Sequence, residues 1–318
     1  MPGSVSAVPE PLCLLTVHAH PDDESSKGAG TVARYHHLGV HTVLVCCTGG
    51  EEGEILNPAL DTPEVRADIP GRRRDELARA TAIIGYDEVD MLGYRDSGMP
   101  DTEANARPES FAQAPQEEAV ERLVAVVRRA RPQVMVIYGD EQSGYPHPDH
   151  LRVHEIGVLA FEAAGDPGRF PGAGEPYQPR KLYYTGFSAR RFRDIHEKFL
   201  ELGLESPFDD AWQERWSSIP ESPLTTSVDI TGYAAVRREA LLAHATQVDP
   251  DSPFWFGLPP EVMDSIHTAD EYQLAKVATV APDGTVTVTD VDAAAMGLTE
   301  DDLFAGVPGA DALVGATR

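Results

Sequence analysis

Covalent cross-links have little to work with in this chain. Its 318 residues include three cysteines, Cys13, Cys46 and Cys47. All lie inside apolar runs and none at spacings that close a disulfide framework, which points to a reducing compartment. Cys46 and Cys47 are adjacent, so on a strand they face opposite sides and do not share a metal. Basic residues are also scarce, with 26 Lys and Arg against 52 Asp and Glu and a formal net charge of −26. Phosphate binding needs clustered cations, so nucleic acid is not an expected partner, and an anionic membrane suits an acidic surface no better. Two short basic runs, Arg72-Arg73-Arg74 and the stretch with Arg190, Arg191 and Arg193, read as solvated helix faces. No apolar run approaches 18 residues, and the opening MPGSVSAVPE has neither a basic n-region nor an apolar h-region. A cytoplasmic protein is the expectation. No G-x-G-x-x-G opens a helix and no G-x-x-x-x-G-K-[ST] occurs, so no nucleotide cofactor is expected.

What is present is enough for a large core, at 42% hydrophobic residues. LCLLTVHA at 12–19 and HTVLVCCT at 41–48 read as buried strands around a helix over 25–38, with Ser25 or Ser26 as cap and Gly39 past its end. The alternation repeats: helix 71–84, strand 87–92, helix 115–130, strand 133–138, helix 151–164. That order builds an α/β fold, a Rossmann-like doubly wound, mostly parallel sheet whose ligands sit at the carboxyl ends of its strands. Strands at 181–187 and 225–230 and helices at 188–202 and 232–246 come next. From 277 an appended strand and a loosely held acidic tail are expected. The division read from the chain is a catalytic core over 1–165, a smaller mixed portion over 166–276 completing the pocket, and an extension over 277–318.

Two stretches carry chemistry. VHAHPDDE at 17–24 and YPHPDH at 145–150 each come after a strand, and both combine histidine and carboxylate around a proline. A single histidine beside a strand is usually a core or surface group, but two such clusters on one sheet are not expected from packing. Catalytic metal sites use three side chains and leave one position open, and His20, Asp23 and His150 would fill those places. Of the consecutive Asp22 and Asp23, one can bind metal while its neighbour faces water. TGGEEGE at 48–54 and GYRDSG at 93–98 also come after strands and should rim the same crevice.

AHPDDE with HPDH resembles the zinc-dependent deacetylases of the PIG-L/LmbE-like superfamily, which remove acyl groups from N-acylated glucosamines. VHAHPDDESSKGA, TGGEEGEILNPA, DSG, GYPHPDH, FEAAGD, KLYY and HATQVDP look, in order, like segments of its amidase branch, over roughly residues 12 to 275. The resemblance implies His20, Asp23 and His150 as metal ligands and Asp22 as general base. It implies a cationic His147 polarising the developing oxyanion, Asp149 orienting His147, and Tyr145 bonding the tetrahedral intermediate. Asp149 could equally cap a helix. Glu51, Arg73, Asp96 and Ser97 would contact sugar and inositol hydroxyls, although Arg73 could also be an exposed helix residue. Lys27 would favour an acyl arm larger than acetate. His244 would support the site from behind, or be a polar helix residue. Zinc is the implied metal, and ferrous iron suits the same donors.

The expected substrate is a small thiol conjugate or aminoglycoside-like molecule. The expected reaction cleaves the amide between a glucosamine nitrogen and an S-conjugated N-acetylcysteine, releasing glucosaminyl-inositol and a mercapturic acid. The alternatives are deacetylation of N-acetylglucosaminyl-inositol, a specialised biosynthetic hydrolase, or a metal- or sugar-binding protein without turnover. Two departures from the family pattern stand out: the stretch from Tyr138 to Tyr145 is one residue longer than the family's usual run, and the acidic extension has no counterpart.

Overall fold

The first apolar run becomes β1 (Cys13–His18), buried at every position, as a strand covered on both faces requires. In the computed structural model, which describes residues 11–140, 145–186, 188–218, 220–310 and 313, β1 feeds a sharp turn rather than a long helix. The single helix expected over 25–38 is two pieces, α1 (Asp23–Ser26) and α2 (Ala29–His37). Gly28 separates them at φ 86°, and a Cβ there would stand 2.8 Å from the Tyr272 hydroxyl, so the position admits only glycine. The remaining elements are β2 (His41–Thr48), α3 (Pro63–Arg66), α4 (Ile69–Ile84), β3 (Glu88–Tyr94), α5 (Gln116–Ala130), β4 (Val134–Ile137), α6 (Pro148–Ala163), β5 (Lys181–Thr185) and α7 (Ala189–Glu201). Then come α8 (Asp210–Ser217), β6 (Thr226–Asp229), α9 (Ala234–Ala243), α10 (Pro253–Phe256), α11 (Pro260–Ile266), β7 (Ala269–Val280), β8 (Val286–Asp290) and α12 (Ala293–Met296).

Among the described residues the strands form one sheet in the order β3-β2-β1-β4-β5-β7-β6, with β8 on β7. β1 to β5 are parallel, and β7 runs antiparallel to β5, β6 and β8. This is the expected doubly wound α/β sheet with a mixed end. The chain winds outward in opposite directions from β1 and β4, which makes the gap between their carboxyl ends the switch point where such folds bind ligands. One face of the sheet is covered by a cluster including Leu15, Val43, Cys47, Leu123 and Phe161, the other by one including Leu14, Val32, Ile84, Tyr272 and Phe304. Cys46 packs separately with Leu44 and Leu77, so the two adjacent thiols do face opposite sides. No helix of the described residues is long and apolar enough to cross a membrane.

The C-terminal half departs most from expectation. β7 begins at Ala269 and runs straight through position 277, and the described residues beyond it, as far as 310, are not a loose tail. Leu303 and Phe304 are fully buried in the cluster around Leu14. The Tyr35 hydroxyl donates to Asp302 Oδ1 (2.6 Å) and accepts from the Leu303 N–H (2.8 Å). Glu300 accepts from Lys181 Nζ (2.8 Å), the Tyr183 hydroxyl (2.7 Å) and Thr226 Oγ1 (3.0 Å), tying this segment to β5 and β6. Leu303, Phe304, Val307 and Ala310 supply the apolar spacing that makes the segment part of the core. Replacing Glu300 with alanine strands a buried ammonium, and urea unfolding should show a loss of about 3 to 5 kcal/mol. A loss under about 1 kcal/mol, the worth of an exposed ion pair, would mean that the tether does not hold the segment.

Candidate metal centre

Because β1 and β4 are neighbours, the segments leaving their carboxyl ends meet at one place. His20 lies two residues past β1, and the HPDH run forms the first turn of α6, three residues earlier than the sequence suggests. His147 is the N-cap, its Nδ1 accepting from the Asp149 N–H (3.2 Å). His20, Asp23 and His150 are all buried, and one donor atom from each lies within 4.8 Å of the others. Asp23 Oδ2 stands 3.4 Å from both His20 Nδ1 and His150 Nε2, while Lys27 Nζ holds Oδ1. His150 Nε2 is buried without a hydrogen-bond partner among the described residues. An unpartnered imidazole nitrogen, a second imidazole and a carboxylate oxygen aimed into one gap are what a borderline divalent cation requires.

The surroundings also call for positive charge. His20 Nε2 lies 3.1 Å from Asp149 Oδ2 and 3.5 Å from Asp96 Oδ1. Burial alone would lower the His20 pKa, but the bonds to Asp149, Asp23 and Asp96 raise it well above its ordinary value. Either a proton or a metal ion answers the same demand. In a metal site the Asp149 contact orients the ligating ring from behind.

Asp22 has its backbone at φ 122°, which few side chains tolerate, and costs about 1 to 3 kcal/mol unless the surroundings impose it. They do. Arg73 Nη2 donates to Asp22 Oδ2 (2.9 Å) and to Pro21 O (2.6 Å), and its Nη1 donates to Gly50 O. The Asp22 N–H donates to Glu24 Oε2 (2.9 Å), and Glu24 Oε1 lies 2.6 Å from His244 Nε2. Burial raises the Asp22 pKa, with the Arg73 guanidinium opposing it.

The remaining expected residues surround this cluster. His147 lies beside it, with its pKa lowered to about 4 by burial and by the neighbouring His20 charge. Because its Nδ1 accepts the Asp149 N–H, Nε2 carries the proton of the neutral ring. Asp149 does not orient it through its carboxylate, which is 4.0 Å from Nδ1 and is spent on Ser97 N (3.0 Å), Ser97 Oγ and His20. The backbone does that work instead. Tyr145 is 54% exposed at the mouth, its ring 5.8 Å from that of His147. Residues 141–144 of the loop that carries it lie outside the described residues.

At the rim, Arg73 (2% exposed), Asp96 and Ser97 are buried and bonded to protein groups, whereas Glu51 is partly exposed and accepts from the Asp96 N–H (2.9 Å). Arg73 is thus no solvated helix residue, and Lys27 faces Asp23. His244 is fully buried against Glu24. Sequence reasoning missed Glu24, although it closes the AHPDDE run, and Tyr138, whose hydroxyl lies 3.1 Å from His18 Nδ1 and accepts from the Ala19 N–H at 3.1 Å.

The arrangement can hold a divalent cation in a buried pocket, with a raised-pKa carboxylate, a neutral imidazole donor and a phenol around it. The family described as PIG-L, GlcNAc-PI de-N-acetylase, matches residues 15–161. The chain is 43% identical to a mycothiol S-conjugate amidase of Streptomyces coelicolor, over 93% of this chain and 97% of that protein. It is 38% identical to a 1D-myo-inositol 2-acetamido-2-deoxy-alpha-D-glucopyranoside deacetylase of Geodermatophilus obscurus, over 93% and 98%. The solved N,N'-diacetylchitobiose deacetylase from Pyrococcus horikoshii shares the fold, with a TM-score of 0.57 at 15% identity over 83% of this chain and 84% of that one. With nearly the whole chain aligned to such relatives and the buried histidine–aspartate cluster inside the matched region, the protein belongs to the PIG-L de-N-acetylase family.

Proposed function

We propose that the protein is a cytoplasmic metal-dependent amidase that hydrolyses mycothiol S-conjugates, cleaving the bond between the glucosamine nitrogen and the S-conjugated N-acetylcysteine carbonyl. The observation that carries the reading is the buried cluster of His20, Asp23 and His150 with Asp22 beside it, in a chain 43% identical throughout to an amidase of that name. Zinc held by those three side chains would polarise the amide carbonyl and acidify the attacking water, and ferrous iron suits the same donors.

The chain's own groups supply the rest. Asp22 takes a proton from the attacking water and returns it to the departing amine, and its raised pKa suits both halves of that task. His147 donates from Nε2 to the oxygen that gains charge during attack, with Tyr145 positioned to donate from the mouth. Arg73 fixes the aspartate and the turn that carries it. Glu51, Asp96 and Ser97 shape the floor that meets the sugar. Lys27 steadies Asp23, and His244 steadies Glu24.

A second reading, deacetylation of the unconjugated N-acetylglucosaminyl-inositol, is favoured by relatives of that name at 38% to 42% identity. Incubation with a mycothiol bimane conjugate, with and without chelator, should yield glucosaminyl-inositol and the bimane mercapturate by mass spectrometry only where metal is retained. Faster release of acetate from N-acetylglucosaminyl-inositol than of mercapturate would reverse the order of the two readings. Cleavage of neither substrate would leave a binding protein.

A further inference from the structure

Two carboxylates behind the metal centre take no direct part in the proposed reaction. Glu24 is fully buried and Glu76 is 2% exposed. Their partners come from the residues that follow α9, 220 and 170 positions further along the chain. His244 Nε2 lies 2.6 Å from Glu24 Oε1, and its Nδ1 is buried without a hydrogen-bond partner among the described residues. Thr246 donates to Glu76 twice, from its N–H to Oε1 (2.8 Å) and from its hydroxyl to Oε2 (2.8 Å). The Thr246 carbonyl accepts from the Leu56 N–H (2.8 Å), just past the 48–54 rim segment. Burying a carboxylate is costly unless it is well bonded, so two of them answered by one short segment call for a reason beyond packing.

Both carboxylates lead to Asp22. The other oxygen of Glu24, Oε2, accepts from the Asp22 N–H (2.9 Å). Glu76 stands three residues after Arg73 on α4, one turn along the same face, and Arg73 Nη2 donates to Asp22 Oδ2 (2.9 Å) and to Pro21 O (2.6 Å). One arm therefore fixes the backbone of the proposed base and the other its carboxylate, at a residue whose φ of 122° needs the surroundings to impose it. We infer that Glu24, Glu76, His244 and Thr246 are positioning residues for Asp22. The segment after α9 clamps the strained turn from behind, so that the Asp22 carboxylate stays aimed at the attacking water. None of the clamp's bonds is made to the side chain of a metal ligand, so its loss should spare the ion.

The inference rests on Asp22 as the base of the proposed hydrolysis, and the test uses whichever of the two proposed substrates turns over faster. Glu24→Leu combined with His244→Leu removes both members of a buried pair and strands no lone charge. This paired replacement should lower kcat about 10²-fold, the cost of a small misplacement, while KM and the zinc content by elemental analysis stay unchanged. In an Asp22→Asn background it should cost nothing further, because groups that act as a unit lose their effect together. A packing role would instead lower the melting temperature and leave kcat per bound zinc intact, or add its loss to that of Asp22→Asn, and either result overturns the clamp. His244→Gln, which keeps a donor towards Glu24, should recover most of kcat, and no recovery would assign the loss to packing. Should the paired replacement not fold, Thr246→Val, which loses only the hydroxyl, carries the same cycle. Its kcat should fall several-fold in the unaltered background and not at all in Asp22→Asn, and an unchanged kcat or an additive loss overturns the clamp. If neither substrate is cleaved, the hydrolase reading has failed, and a crystal structure of whichever variant folds decides the clamp alone. Asp22 released from positive φ sustains it, and an unchanged turn overturns it.

Discussion

Replacing Asp22 with asparagine should lower kcat by about 10²- to 10⁴-fold, the range for losing a positioned general base. Asparagine has the same shape and keeps an oxygen that can accept from Arg73, so the strained turn stays held. The capacity to receive a proton disappears. Bound metal, measured by elemental analysis, should therefore be unchanged. The pH profile adds a second readout. Burial raises the Asp22 pKa, so the base stays protonated to a higher pH than an ordinary carboxylate, and activity should fall off on the acid side above the usual carboxylate range. Residual turnover in the asparagine variant should lack that limb. A metal-loaded variant retaining more than about a tenth of its turnover would remove Asp22 from the mechanism.

Replacing His150 with alanine should abolish stoichiometric metal binding and, with it, hydrolysis. His150 contributes the buried, unpartnered Nε2 on one side of Asp23 Oδ2. Lys27→Met provides the contrast, because of the two Asp23 oxygens Lys27 binds Oδ1, not the one between the histidines. Losing a group that orients a ligand costs about 10- to 100-fold in metal affinity, and losing a ligand costs more. Thermal melting gives a readout independent of turnover: added zinc should raise the melting temperature of the unaltered protein and of Lys27→Met, but not of His150→Ala. An unchanged zinc response in the alanine variant would show that the ion sits elsewhere.

The site was readable wherever its chemistry was local. His20, Asp23 and His150 could be picked out because a proline turn after an apolar strand has little packing reason to carry such side chains, and the structure brings them to one gap. The parallel half of the sheet was legible for the same reason, since LCLLTVHA and HTVLVCCT announce central strands on their own. The features that could not be read depended on distant partners. Arg73 looks like the middle of a solvated arginine run, and only the return of the 48–54 segment and the Pro21 turn gives its guanidinium three acceptors. Ser97 looked suited to a sugar hydroxyl until Asp149, 52 residues on, took both its donors. β7 opens with A-D-E-Y-Q-L-A-K, too polar to announce a central strand, yet it lies between β5 and β6. Asp270 is buried there because Thr31, 239 residues earlier, supplies two donors.

The bond from Tyr35 to Asp302 spans 267 residues of chain. At synthesis rates of about 5 to 20 residues per second, the helix bearing Tyr35 leaves the ribosome some 15 to 50 s before its partner exists. Throughout that interval Val32 and Tyr35 lack the cover of Phe304 and Leu303, although the strand beside them can already pair. The nascent protein therefore passes through a stage with one side of its sheet bare, when a chaperone has an apolar surface to hold and a premature stop codon would leave that surface open for good.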